Sequence, residues 1–170
     1  DVKGRYAQRE TWDDRVHMAV ALPTGGHFGY LDQLGPIDHD ERSYLIRQAV
    51  RHPIWLLRHR KSKDLAAVPG PPVDLPGIGK CDSTMVSYLG SNTVLLSDPR
   101  TSELRGIQHF GRGATAQVLS TRVYTAWTES AGVRLPTAWT VTREGAAPTT
   151  GGVDAVLVNV GAEGYFARHP

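Results

Sequence analysis

The sequence predicts a mainly β protein of the α+β class, a small irregular β-barrel with one α-helix covering an opening. Two observations predict it. From Thr84 onward, short runs rich in Val, Thr, Leu and Ile recur between Gly, Ser, Asp and Pro signals, as strands joined by turns do. Before that point, Asp38 to His52 is the one segment with a convincing helical period and a start signal.

Taken in order, Asp1 to Asp14 is polar and without a clear period, and reads as a flexible lead-in. Arg15–Leu22 is apolar enough for a largely buried first strand, ended by Pro23 and the Gly25-Gly26 pair. The stretch to Gly35-Pro36 reads as a loop. Asp38 then stands as N-cap with Glu41 three residues on, the spacing of a capping box. Leu45, Ala49 and His52 share one stripe of the helix, Ile46 and Val50 lie beside it, and Arg42, Arg47 and Arg51 lie elsewhere on its surface. Pro53 stops the helix, and Ile54–His59 reads as a second strand. Leu65–Lys80 holds five prolines and glycines between Pro69 and Pro76 and reads as a long irregular surface connection. The later runs are Thr84–Leu89, Thr93–Leu96, Leu104–Phe110, Ala114–Tyr124, Pro136–Arg143 and Val153–Val160. The expected organisation is one domain over 15–161 with a short tail at 162–170.

Composition narrows the function. A net charge of +2 and a pI near 8.8 are only mildly basic, so a nucleic-acid surface has to be a local patch. Such a patch exists: Arg42, Arg47, Arg51, Arg58, Arg60, Lys61 and Lys63 crowd the helix and the segment after it, offset only by Glu41 and Asp64. The single cysteine, Cys81, rules out an internal disulfide and fits a reducing compartment. The apolar runs are strand-sized, which predicts no membrane span. The chain opens on Asp1 instead of methionine, as a processed product or a fragment does.

Catalytic motifs are missing. There is no Gly-x-Ser-x-Gly elbow, and Phe110-Gly111-Arg112-Gly113 lacks the Lys-Ser/Thr ending of a phosphate loop. The seven histidines show no metal-ligand spacing, and no cofactor is expected. The four tryptophans read as core or edge aromatics. Glu103–Thr121 is more informative. It joins two strand-like runs through a turn in which Gly111 and Gly113 flank Arg112, the make-up of a β-hairpin with a guanidinium at its tip.

Glu103-Leu104-Arg105-Gly106-Ile107-Gln108-His109-Phe110-Gly111-Arg112-Gly113 resembles a segment of the betacoronavirus leader protein, the first non-structural protein cut from the viral polyprotein. That family carries Glu-Leu-Glu-Gly-Ile-Gln-Tyr-Gly-Arg-Ser-Gly before a strand. Val16–Pro23 is similar to its first strand, His-Val-Gln-Leu-Ser-Leu-Pro, and Pro136-Thr137-Ala138-Trp139 to its Pro-Val-Ala-Tyr. The resemblance spans about Arg15 to Gly161. It implies a non-enzymatic, monomeric viral protein of the host cytoplasm that suppresses host gene expression and translation. The implied partners are the host small ribosomal subunit, host mRNA and the viral 5′ leader RNA, with no membrane and no cofactor. Carried over position by position, the hairpin arginine is Arg112, an Arg-Lys pair becomes Arg143 and Glu144, and Arg47 and Arg51 fall near basic positions of the family's helix. These four arginines are the expected RNA-binding residues. Glu144 departs from the pattern by placing a carboxylate where the family has lysine. The family's ribosome-binding hairpin has no counterpart in 162–170. Two rival readings remain open: a small viral cysteine protease using Cys81, and a protein-interaction module docking through Leu65–Lys80.

Overall fold

The computed structural model describes residues 6–12, 15–22, 24–30, 32–110, 117–130 and 132–153. It is mainly β and divides into two compact units, the first holding the described residues through Leu56 and the second those from Leu57 to Val153. The single domain expected over 15–161 takes in parts of both.

The first unit is a four-stranded antiparallel meander, β1 (Tyr6–Trp12), β2 (Arg15–Leu22), β3 (Gly25–Tyr30) and β4 (Gln33–Pro36), followed by α1 (His39–Arg51). Strand β1 falls inside the expected lead-in. Strands β3 and β4 fill what reads as a loop, because their glycines are demanded by the sheet. Gly26 pairs with Ala21 at a φ of 153°, and a Cβ there would lie 1.9 Å from the Val20 carbonyl oxygen. Helix α1 starts as expected: Glu41 donates its backbone N–H to Asp38 Oδ1 at 2.8 Å. Its Leu45 buries against Ala19 and Ala21 of β2, with Phe28, Ile37 and Ile46 around them.

Pro53 does end α1, but Ile54–His59 is not a strand. Residues Pro53–Arg58 form a short helix, α2. His52 is the joint, capping α1 with its N–H on the Ala49 carbonyl and accepting the Leu56 N–H on its own carbonyl. Proline suits the first position of a helix, where its missing N–H costs nothing.

The second unit is an open seven-stranded antiparallel sheet in the order β11-β10-β9-β8-β7-β6-β5. Its strands are β5 (Leu65–Leu75), β6 (Gly79–Tyr88), β7 (Ser91–Ser97), β8 (Leu104–Phe110), β9 (Val118–Ser130), β10 (Val133–Arg143) and β11 (Thr149–Gly152). Among the described residues no ladder joins β5 to β11, so the barrel is not closed. The expected strand at Val153–Val160 lies, beyond Val153, outside the described residues. The expected irregular connection at Leu65–Lys80 is instead an edge strand and the start of its neighbour. The prolines are tolerated because β5 has one strand partner among the described residues. Its register shifts between Gly70 and Val73, which drops Pro71 and Pro72 out of the ladder, and Ser83 Oγ donates to the Pro71 carbonyl at 2.7 Å.

Both faces of this sheet carry buried residues. On one, Leu75, Cys81, Val94 and Leu96 pack with Val73, Phe110 and Val123. The other carries Val86, Tyr88, Thr93, Ile107, Tyr124 and Val141 in cross-strand rows, all buried. Burial pushes the Tyr124 hydroxyl up to about 12, and the Arg122 guanidinium beside it pulls the other way.

The β7–β8 turn is held by Asp98. Its carboxylate accepts backbone N–H bonds from Arg100 at 2.9 Å and Thr101 at 3.1 Å, and Arg105 binds its other oxygen at 3.0 Å. These bonds, the Arg100 amide foremost, lower its pKa from 3.8 to about 2. A carboxyl depressed on folding stabilises the fold above its unfolded pKa, and that contribution fades as pH falls through the folded value. The Asp98 share of stability is therefore expected to be full above about pH 4 and lost toward pH 2. Asp98→Asn should flatten the decline of the urea midpoint across that window. A decline as steep as that of the unaltered chain would contradict this role.

Candidate functional site

In an antiparallel meander, alternate strand ends meet at one end of the sheet. The start of β5, the β6–β7 turn, the β8–β9 connection and the end of β10 share one end here. The register makes this specific. Val86, Thr93, His109, Ser120 and Arg143 lie directly opposite one another across β6 to β10. Arg143 is exposed at the last position of β10. Strands β8 and β9 are antiparallel neighbours, as a hairpin requires, with Phe110 opposite Val118. Arg112, Gly111 and Gly113 lie in 111–116, outside the described residues, so only the stems of that hairpin enter the description. Arg143 stands opposite Ser120, near the foot of the second stem. Glu144, exposed beside it, accepts a hydrogen bond from Gln117 Nε2 and so ties the end of β10 to that stem.

The same end receives the basic segment. No carboxylate occurs between Glu41 and Asp64, while seven arginines and lysines do. Of these, Arg58, Arg60, Lys61 and Lys63 precede β5 and are exposed. Their backbone is ordered by successive turns, with Arg60 N–H on the Leu57 carbonyl, Ser62 N–H on His59 and Leu65 N–H on Ser62. Five inter-strand steps of about 4.8 Å separate β5 from β10, so the cations are spread along a line of roughly 24 Å. Arg58, Lys61, Lys63 and Arg143 make no ion pair among the described residues.

The opposite end of the sheet differs. Asp74, Asp82, Asp98, Glu103 and Glu129 stand there among Lys80, Arg100, Arg105 and Arg134. Two of its three arginines are engaged: Arg105 lies 3.0 Å from Asp98 and 3.4 Å from Glu103, Arg134 pairs with Glu103, and the Arg134 guanidinium sits 5.5 Å from the Trp127 ring centre. Cations that already hold carboxylates have little left for a phosphate.

Arg47 and Arg51 belong to the first unit and Arg143 to the second, while Arg112 lies outside the described residues. On α1, Arg47 and Arg51 share the outward side. Arg42 does not: 100° per residue places it with Leu45 and Ala49. All three arginines are half-buried, and the Nε atoms of Arg42 and Arg51 are both buried, so the helix arginines are less exposed than expected. The sequence reading passed over Tyr44, which is 55% exposed on the same side as Arg47 and Arg51. Its i, i+3, i+7 spacing was the available signal.

The surroundings of Cys81 do not favour the cysteine-protease reading. Cys81 is 1% exposed inside the Leu75–Val94–Leu96 cluster, and its thiol donates to the Gly79 carbonyl at 3.8 Å. Burial raises its thiol pKa, the reverse of what a nucleophile needs. His17 is packed edge-on against Phe28 at 4.7 Å and Tyr30 at 5.7 Å. No group of three His, Cys, Asp or Glu among the described residues is placed to hold a metal. Trp139 carries the Arg122 guanidinium 5.0 Å from its ring centre and lies against Gly151, so it is engaged within the sheet.

No family model matches the chain, and no curated protein does. Among solved structures it is similar to a DUF1329 family protein from Desulfovibrio piger, at 11% identity over 86% of this chain and 72% of that one, with a TM-score of 0.46. A likeness of that size carries no argument about function.

Proposed function

We propose that this chain binds RNA through phosphate contacts made by the basic end of the seven-stranded sheet. The supporting observation is the convergence of Arg58, Arg60, Lys61 and Lys63 with Arg143 and the stems of the Arg112 hairpin at one sheet end, with no carboxylate in the chain from Arg42 to Lys63. Exposed cations spread over tens of ångströms suit a polyanion better than a small acidic ligand, which would need them gathered in a pocket. The leader-protein resemblance supplies the setting: host mRNA and the viral 5′ leader as the RNA, and suppression of host gene expression at the small ribosomal subunit as the outcome.

Fluorescence polarisation of a labelled viral-type 5′ leader RNA between 50 and 200 mM salt tests this, with binding strength expected to fall steeply as salt rises. Arg143→Ala should reduce the slope of log affinity against log salt by about 0.7 to 0.9, one phosphate contact. No binding at the low-salt end, or an unchanged slope in the variant, would remove the proposal.

A further inference from the structure

The outward side of α1 sets an exposed aromatic residue beside the arginines of the helix. Successive residues turn by 100°, so Tyr44, Arg47, Gln48 and Arg51 fall on one stripe, opposite the buried Leu45 and Val50; Tyr44 is exposed and the other three are half-buried. The stripe runs about 10 Å along the helix axis from Tyr44 to Arg51. Tyr44 makes no hydrogen bond or ring contact among the described residues, so its ring presents a free face. The helix's acidic residues, Asp40 and Glu41, are confined to its first turn, and Asp40 lies next to the His39 ring at 3.5 Å. From Tyr44 onward the stripe carries only positive or neutral groups.

We propose that this stripe is a second RNA contact, selective for single strands: Tyr44 stacks on an unpaired base while Arg47, one turn on, holds the phosphate beside it. The inference rests on the RNA-binding reading and deepens it. Aromatic rings bind bases by stacking whatever their sequence, provided the base is free of a duplex stack. Arginine adds both charge and a planar face suited to the same partner. A purely cationic stripe would take duplex and single strand alike, so the ring is what separates the two. A protein partner would use the same side, but the lack of any carboxylate on α1 after Glu41 favours an anion over a mixed-charge protein surface.

The test uses the full chain, a labelled 12-nucleotide unstructured RNA and the same strand annealed to its complement. Tyr44→Ala should weaken single-strand binding by about five- to a hundredfold. It should leave duplex binding within twofold and keep the salt slope unchanged, because no charge is lost. Tyr44→Phe should retain single-strand binding. Tyr44 is exposed, so its truncation should leave the thermal melting curve in place. Single-strand binding by Tyr44→Ala within twofold of the unaltered chain would overturn the stacking role, and so would equal losses on both RNAs. If the unaltered chain binds neither RNA, the RNA reading itself falls. If it binds both and responds to Arg143→Ala but not to Tyr44→Ala, only the α1 contact falls.

Discussion

Leu96→Ala should lower the unfolding free energy of the seven-stranded unit by about 3 to 4 kcal/mol. Leu96 has no exposed surface and lies at the centre of the cluster of Leu75, Cys81 and Val94. Truncation removes the transfer energy of its side chain and leaves a hole bounded by sheet backbone on one side, which cannot collapse as a loop could. A loss of that size is a large fraction of the 5 to 15 kcal/mol typical of a folded protein. Guanidinium unfolding followed by circular dichroism measures it. Val68→Ala, at a position 54% exposed on the edge strand, should cost less than about 1 kcal/mol under the same conditions and serves as the comparison. A Leu96→Ala loss no larger than that of Val68→Ala would mean that the core is not where the burial places it.

That core was partly legible beforehand. The runs at Thr93–Leu96, Leu104–Phe110 and Pro136–Arg143 become strands within three residues of their expected limits, whereas β6 begins five residues before the expected Thr84, β9 runs six residues past the expected Tyr124, and β11 was not expected. The helix at His39–Arg51 was legible because two independent signals agreed, an Asp38 cap and a 3.6-residue apolar period. The misread segments share a cause: local chemistry pointed one way and pairing decided the other. Ile54–His59 is a short apolar run, for which helix and strand periods cannot be told apart, and Pro53 favours the helix only once His52 supplies the cap. Leu65–Leu75 looks unable to form a ladder, yet an edge strand needs only one side, and a register shift removes two of its prolines. Gly25 to Gly35 reads as a loop because nothing local shows that a Cβ at position 26 would strike the Val20 carbonyl.

The site was less legible than the fold. The cations of the Arg42–Lys63 stretch were visible in sequence, but their sorting was not. Arg42 turns toward the packed side of α1, while Arg58 to Lys63 arrive at the strand end that also holds Arg143, far away in the chain. The Glu144 carboxylate, a source of repulsion when read from the sequence, is engaged by Gln117 at the foot of the hairpin, which no spacing rule could have shown. Tyr44 escaped notice because a lone exposed tyrosine is ordinary until its helical neighbours are placed beside it.

The combined variant Lys61→Glu, Lys63→Glu, Arg143→Glu should lose at least about a hundredfold in RNA affinity near 100 mM salt, with the salt slope reduced by about 2. Each replacement removes one phosphate contact and sets a carboxylate in its place, so loss of attraction and gain of repulsion act together. All three side chains are exposed and make no ion pair among the described residues, so the reversals should leave the melting temperature nearly unchanged. Placement is the point of the design. A matched triple reversal at the other sheet end, Lys80→Glu, Arg100→Glu, Arg134→Glu, changes net charge by the same amount, yet should cost less than tenfold. Arg134 already holds Glu103, and Asp74, Asp82, Asp98, Glu103 and Glu129 place negative charge around Lys80 and Arg100 at that end. Equal losses from the two triples would mean that RNA responds to the overall charge of the unit and that its basic end is not a site. A loss confined to the first triple would locate the interface at the strand ends where β5 begins and β10 finishes.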